Sequence, residues 1–550
     1  MEKKRWYKDM VFYQVWPRSF KDGNGDGMGD LWGVLEKLDY IRDLGCDGIW
    51  FSPLYPSPGV DCGYDISDYM DIAPEFGGLE AFKKVLEGAH ARGMKVIMDL
   101  VVNHTSTEHE WFKKSRQRID PYTDYYIWRP AKPGGKLPNN WDSLFEGKAW
   151  AWDEERQEYY MHLFAIEQAD LNMDDPLVRE EVKNILRFWL DMGVDGFRED
   201  VITFISKTEG LPDDRIMPAS KGLLLYNHGP HLHEYLEEFR RDVFSHYDCM
   251  ILAEAPMVTP KKALQYIDEG KAPVLDMMIQ FSTQEADCLF MDYNHMPFDL
   301  RKLKRAYSNW QKGLAGKGWN MLYIENHDHP RMVSRYGSEE YRTESAKMLA
   351  VSYLFQQGTP FVYQGQEIGM SNWYPKDPGM YEDVQTRWQY NTGATKTSPE
   401  KRLQRLWYGS RDSARTPVQW SAEEHAGFSA VEPWFYVNEN YVDVNVAAQE
   451  ADEASVLNFY RKAIALRKSL SCVRDGDYRE HGKLSGTLYT YSREDEAQKI
   501  LVVCSYSAKQ VPFRAPKGFD MASAEQILGN YPDAGDKMRP YEARVYLWKK

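Results

Sequence analysis

An α/β fold, a (β/α)₈ TIM barrel, is what this 550-residue sequence predicts, on three observations. Short apolar runs alternate with amphipathic helical stretches from the amino end, the rhythm of parallel strands joined by right-handed crossovers. Several apolar runs end in polar residues: Asp200 in DGFRED (195–200), Glu254 in ILAEAP (251–256), Asp328 in IENHDHPR (324–331), and Asn103 and His104 in DLVVNH (99–104). Polar side chains at the carboxyl ends of successive strands are what the active face of such a barrel requires. Finally, the chain is too long for one ordinary domain and suits a large barrel with insertions or appendages.

The elements follow in order. VFYQVWP (11–17) reads as the first strand, LWGVLEKLDYIRDLG (31–45) as a helix ending at Gly45, and CDGIWFSP (46–53) as the second strand. EAFKKVLEGAHARG (80–93) has helical spacing, and KVIMDLVVNH (95–104) reads as the third strand. From about 105 to 170 the sequence is rich in Trp, Tyr, Pro and Gly without a steady period, which suits an inserted subdomain better than a loop. Alternation resumes with REEVKNILRFWLDMG (179–193) and GFREDVI (196–202), and continues through CMILAEA (249–255), NMLYIEN (320–326) and TPFVYQGQEIGM (359–370). A helix over 456–470 precedes short alternating runs that read as an antiparallel β domain. The expected division is a barrel over 1–104 and 173–477, an insert over 105–172, and a C-terminal β domain over 478–550.

Composition narrows the function. A net charge of −15 argues against nucleic acid and anionic membranes as partners. Aromatic residues make up 14% of the chain, with 18 Trp and 36 Tyr, and aromatic faces stack against sugar rings as readily as they fill a core. Mean hydropathy is −0.62. The amino-terminal residues lack a signal-peptide pattern, no stretch approaches a membrane span, and the six cysteines lack CxxC spacing. A cytoplasmic, monomeric protein with reduced thiols is expected.

Two carboxyls in one pocket, one ionised and one protonated, are the minimum machinery for cleaving a glycosidic bond. In a strand, residues two apart share a face. Arg198 and Asp200 should therefore point into the pocket together, with the guanidinium favouring an ionised Asp200.

The wording and order of several segments resemble glycoside hydrolase family 13, the α-amylase family, and within it the oligo-1,6-glucosidase/α-glucosidase branch. They include VFYQVWPRSFKDGNGDGMGDLWG, VDCGYDISDY (60–69), QADLN (168–172), GTPFVYQGQEIGM and SRDSARTPVQW (410–420). The resemblance implies a barrel with an inserted B domain after the third strand and a C-terminal β-sandwich. It implies that Asp200 is the nucleophile, Glu254 the general acid/base, and Asp328 the third carboxylate, which holds sugar hydroxyls and stabilises the transition state. His104, His327, Arg198 and Gln168 are placed with the substrate-binding residues. Asp61, Tyr64 and Arg411 match residues that close a one-sugar pocket, which implies removal of terminal glucose by double displacement with retention.

Val201, next to the nucleophile, is what the α-1,6-preferring members of this branch typically carry, so short isomalto-oligosaccharides are the expected substrates. A sucrose isomerase is the sharpest rival. Its family stretch Arg-Leu-Asp-Arg is met here by Lys302-Leu303-Lys304-Arg305, which lacks the acid and reads as a basic helix face. A catalytically dead transporter subunit would have lost the acids that this chain keeps.

The segment DGNGDGMGD (22–30) sets Asp22, Asn24, Asp26 and Asp30 at alternate positions, with Met28 able to add a backbone carbonyl. That spacing suits a hard cation, so a structural Ca²⁺, with Mg²⁺ as alternative, is expected. Two residues depart from the pattern. Glu199 should turn away from the pocket and find a hydrogen-bonded or basic partner there, because an unpaired buried carboxylate is costly. Cys62, beside Asp61, reads as either a thiol near the pocket or a buried inert one.

Overall fold

The computed structural model describes residues 5–289, 291–392 and 397–550. Eight parallel strands form one sheet among these residues: β1 (Phe12–Val15), β2 (Gly48–Phe51), β3 (Lys95–Leu100), β4 (Gly196–Glu199), β5 (Met250–Glu254), β6 (Met277–Ile279), β7 (Met321–Leu322) and β8 (Thr359–Tyr363). They run in the order β6-β5-β4-β3-β2-β1-β8-β7. A parallel bridge between Met278 and Asn320 joins the two ends and closes the barrel.

Side chains alternate between two cores, as the two-residue period of a strand requires. Phe12, Trp50, Ile97, Met250, Leu252, Met277, Ile279, Met321 and Phe361 fill the barrel interior. Their neighbours Tyr13, Ile49, Phe51, Met98, Phe197, Ile251, Ala253, Met278 and Val362 face the helices. Gly196 opens β4 because a Cβ there would stand 2.0 Å from the Met250 carbonyl oxygen on β5.

The helices between strands carry the expected apolar stripes. The predicted helix over 31–45 is two helices, α1 (Leu31–Glu36) and α2 (Leu38–Leu44), divided at Lys37, whose φ −104° and ψ 9° leave the helical region. Helix α3 (Gly78–Ala91) precedes β3. The next, α4 (Pro176–Met192), starts with an Asp175 cap and Pro at its first turn, and Gly193 in the left-handed conformation ends it. Then come α5 (Leu232–Asp242), α6 (Pro260–Ile267), α7 (Leu300–Leu314), α8 (Arg342–Leu354) and α9 (Val456–Ser469).

Between β3 and α4 the chain leaves the barrel. Strands His104–Ser106 and Gln168–Asp170 pair antiparallel at the base of this excursion. Beyond them lie a helix, Glu110–Arg116, and a three-stranded sheet of Trp128–Arg129, Trp150–Asp153 and Glu158–Met161. The stretch without a period in the sequence is thus ordered by aromatic packing, with Phe112 against Tyr126, Trp128 and Tyr160.

After α9, strands β9 (Asp477–His481), β10 (Leu488–Glu494), β11 (Gln498–Ser505), β12 (Glu525–Gly529) and β13 (Ala543–Lys549) form an antiparallel sheet in the order β9-β10-β11-β13-β12. Lys304 on α7 ties this sheet to the barrel. Its Nζ donates to the carbonyls of Gly482 at 2.8 Å, Ser485 at 2.9 Å and Leu488 at 3.3 Å. Burial lowers its ammonium pKa. This corrects the reading of 302–305 as a solvated basic face: Lys302 and Arg305 are exposed, whereas Lys304 is buried in the joint.

Replacing Lys304→Met leaves three carbonyls without their donor, each costing about 1 kcal/mol or more. The expected outcome is a melting temperature lowered by several degrees, with KM for substrate unchanged; differential scanning calorimetry beside steady-state kinetics checks it.

Candidate active site

The carboxyl ends of the barrel strands converge on one guanidinium. Arg198 points inward from β4, fully buried, and its Nη1 lies 2.6 Å from both Asp99 Oδ1 on β3 and Asp200 Oδ1 just past β4. Its Nη2 lies 2.8 Å from Glu254 Oε2, at the end of β5. Trp50 and Tyr64 cover the guanidinium, with ring centroids 5.4 and 5.9 Å from it. The backbone N–H of Val201 donates to the same Glu254 Oε2 at 2.9 Å. Two oxygens, Asp200 Oδ2 and Glu254 Oε1, are left without hydrogen bonds to the described residues.

Three carboxyls share one cation here, which sets the protonation state. Burial pushes the Asp99 carboxyl up to about 7 although Arg198 pulls it down. The Asp200 carboxyl is also pushed up, by burial first and then by the neighbouring Glu254 and Asp99, against the pull of Arg198. Arg198 thus favours an ionised Asp200, as expected, while burial and the neighbouring acids oppose it. One positive charge cannot offset three buried negative ones, so the cluster holds a proton at neutral pH.

His327 sits flat between Tyr64 and Trp16, its ring stacked on theirs at 5.5 and 5.1 Å. Gln14 Nε2 lies 2.7 Å from its Nδ1, Tyr64 Oη 2.6 Å from its Nε2, and Asp328 Oδ2 3.1 Å from Nε2. Burial lowers the imidazole pKa far below its usual value, so the ring is neutral. With Gln14 donating to Nδ1, the network assigns the ring proton to Nε2, which frees the Tyr64 hydroxyl to donate to Asp99 Oδ2 at 3.1 Å.

A second charge group closes the far side. Arg411 Nη1 and Arg415 Nη2 reach Asp328 Oδ1 at 3.2 and 3.3 Å. Burial would raise Asp328, but His327, Arg411 and Arg415 outweigh it and hold the carboxyl below the usual range. Arg411 also reaches Asp61 Oδ1 at 3.1 Å and pairs closely with Asp383. Asp383 is held down to about 2, the two arginines overriding its burial. Asp61 is pushed up to about 6 by burial in spite of Arg411. Gln168 Nε2 links Asp61 Oδ2 to His104 Nε2, at 3.2 Å from each. His104 is buried against Phe164 and its pKa falls to about 4.

Every catalytic and substrate-binding candidate named from the sequence thus lies in one connected group. Sequence reading missed Asp99, Gln14, Trp16, Asp383 and Arg415. Arg415 had a signal, since it stands four residues from Arg411, one helical turn away; Asp383 had none. The 302–305 stretch lies on the C-terminal joint and takes no part. Glu199 contradicts its expectation: its side chain is fully buried, and neither carboxyl oxygen has a hydrogen-bond partner among the described residues. Cys62 is half-buried, and burial lifts its thiol to about 11, which makes it a poor nucleophile.

In the 22–30 loop, Asp22 accepts the Gly25 and Gly27 N–H groups and the Ser429 hydroxyl. Asp30 accepts from Gly23, Asn24 and Gly33. Asn24 and Asp26 bond within the loop, Asp26 Oδ1 receiving the Met28 N–H. No group of three or more His, Cys, Asp or Glu is disposed to hold a metal ion among the described residues. No helix among them is long and apolar enough to cross a membrane.

The alpha-amylase catalytic domain model matches residues 14–476. An oligo-1,6-glucosidase of Parageobacillus thermoglucosidasius is 46% identical over 98% of this chain and 98% of its own. A trehalose-6-phosphate hydrolase of Bacillus licheniformis, 42% identical, superposes with TM-score 0.93, covering 99% of this chain and 100% of that one. A trehalulose synthase of Pseudomonas mesoacidophila MX-45, 38% identical, does so with TM-score 0.93 over 99% of each.

Arg411→Lys removes a planar fork that serves three carboxylates at once. KM for the substrate is expected to rise roughly tenfold or more, the loss of one charged hydrogen bond, with a smaller change in kcat; steady-state kinetics at pH 7 decides.

Proposed function

The chain belongs to the α-amylase family, and from that premise we propose that it is a retaining, exo-acting α-glucosidase that removes terminal glucose from α-1,6-linked isomalto-oligosaccharides. The observation that carries the reading is the single guanidinium of Arg198 bridging Asp200 and Glu254. A shared cation holds two carboxyls at short range, which favours the ~5–5.5 Å of a retaining pair over the roughly 6.5–9.5 Å of an inverting one.

In this reading Asp200 Oδ2 attacks the anomeric carbon while Glu254, carrying the proton of the cluster on its free Oε1, gives it to the leaving oxygen. The bond to the departing sugar breaks and a glucosyl–Asp200 ester forms. Glu254, now ionised, takes a proton from water, which attacks the same carbon and releases glucose. The fixed negative charge of Asp328 stabilises the oxocarbenium-like transition state. Asp61, Arg411 and Gln168 close the far wall of the pocket, which supports removal of one terminal sugar rather than cutting within a chain.

Support for the α-1,6 bond comes from Val201 and from the oligo-1,6-glucosidases among the relatives. Because 302–305 lies outside the pocket, those residues no longer argue against sucrose isomerisation; hydrolysis rests on the relatives' activity. Water-soluble oligosaccharide is the proposed substrate class, and a cytoplasmic, monomeric enzyme the proposed setting. A structural cation in the 22–30 loop is proposed on the residue spacing alone and takes no part in the chemistry.

Glucose release from isomaltose, maltose, sucrose and trehalose 6-phosphate is the direct test, with Asp200→Asn as the blank. Rapid release from isomaltose and little from maltose is expected, and Val201→Thr should shift the ratio toward maltose. Dominant conversion of sucrose to an isomer, or of trehalose 6-phosphate to glucose, would replace the proposal. Chelation is expected to lower the melting temperature more than the initial rate; a melting temperature indifferent to EDTA removes the cation from the account.

A further inference from the structure

Behind the nucleophile lies a buried acid that the chemistry above does not use. Glu199 ends β4, one residue before Asp200, and turns outward with Phe197 toward the helical layer. Its register partners on either side, Leu100 of β3 and Ala253 of β5, are apolar. Its exposure is 0%, and both carboxyl oxygens lack a hydrogen-bond partner among the described residues. An ionised carboxylate in that place would cost several kcal/mol, so the group is held as a neutral acid; burial lifts its pKa to about 8.

Two charged groups face it. Arg240 of α5 is the strongest favourable charge near Glu199, and Asp276, just before β6, opposes it. Arg240 donates its Nε to the Val274 carbonyl at 3.0 Å, and its Nη2 lies 3.3 Å from Asp276 Oδ1 without making a hydrogen bond. Asp276 Oδ2 already accepts the Ile251 N–H at 2.8 Å. On the α4 side, Lys183 is taken by Glu180, Glu238 and Asp242. An acid without a partner therefore stands near a guanidinium whose outer nitrogen is only loosely engaged.

We propose that Glu199 is a positioning residue for the nucleophile: protonated, it lets β4 lie against α5, and on losing its proton it draws Arg240 from Asp276 and displaces the strand end that carries Asp200. The inference rests on the glucosidase reading, because it concerns the residue that attacks the sugar. Its consequence is an alkaline limit on activity set from outside the pocket. The sign follows from linkage. A carboxyl whose folded pKa is raised above its unfolded value contributes stability below the unfolded pKa, near 4.3, and that stability is lost as pH rises through about 8.

Glu199→Gln keeps the shape and cannot ionise; Glu199→Met is a second variant of similar length. Rates on the best substrate and melting temperatures are measured from pH 5 to 10 for both variants and the wild type. The fraction of the pH 7 rate kept at pH 9 is expected to be about tenfold smaller for the wild type than for the variants, as for an additional group titrating near 8. Their melting temperatures should also fall less between pH 5 and 9. Variants whose alkaline limb coincides with that of the wild type overturn the proposal and leave the limb to groups within the pocket, even if the melting temperatures differ. A wild type that hydrolyses none of the four sugars at any pH overturns both readings together, an outcome distinct from an active enzyme with an unmoved limb.

Discussion

The open end of this barrel is organised around the burial of Arg198. A guanidinium cannot give up its charge, so once β4 turns it inward the surrounding strand ends must supply acids. They do so from three strands, Asp99 beside β2 and β4, Asp200 beyond β4, and Glu254 at the end of β5. Removing any one would leave either a cation short of partners or an acid without one, and both are expensive away from water. The excess of acids over cations disfavours full ionisation of the cluster. The second group, around Asp328, sets two arginines against Asp61, Asp328 and Asp383. The arginines hold both Asp328 and Asp383 below the usual carboxylate range, whereas burial lifts Asp61.

These two groups are kept apart by aromatic rings. Trp16, His327 and Tyr64 form a stack whose edges carry hydrogen bonds to Gln14, Asp99 and Asp328. The stack places the Tyr64 hydroxyl between Asp99 and His327, within hydrogen-bond distance of both. The insert contributes the rest of the wall, with Phe145 and Phe164 packed at 5.2 Å and Arg411 lying over Phe145.

Much of this arrangement was legible in the sequence because period and chemistry pointed the same way. Apolar runs placed the strands, acids at their ends placed Asp200, Glu254 and Asp328, and long segment matches placed Asp61, Gln168 and Arg411. What escaped was decided by tertiary context. Asp99 sits inside an apolar run, where one acid reads as an irregularity until Arg198 is seen opposite. Asp383 comes from a segment with no period, and only the fold brings it to Arg411. Lys304 shares its helix with exposed Lys302 and Arg305, and nothing local says that the C-terminal sheet covers it. Glu199 was correctly turned outward by strand alternation, but neither carboxyl oxygen is hydrogen-bonded among the described residues, because a protonated acid can be buried without an ionic partner.

Val201 occupies a strained main-chain position just past β4. Its φ of 33° and ψ of 39° put a β-branched residue in the left-handed region, which costs of order 1–3 kcal/mol. That turn aims its N–H at Glu254 Oε2, so the strain holds the acid in place. Glycine would relieve the strain and loosen the turn. The side chain itself is buried in an apolar cluster with Phe145, Phe164 and Phe204. Any residue accepted there inherits a fixed backbone and differs only in the wall it presents. A substitution there changes the apolar packing while the N–H contact to Glu254 stays the same.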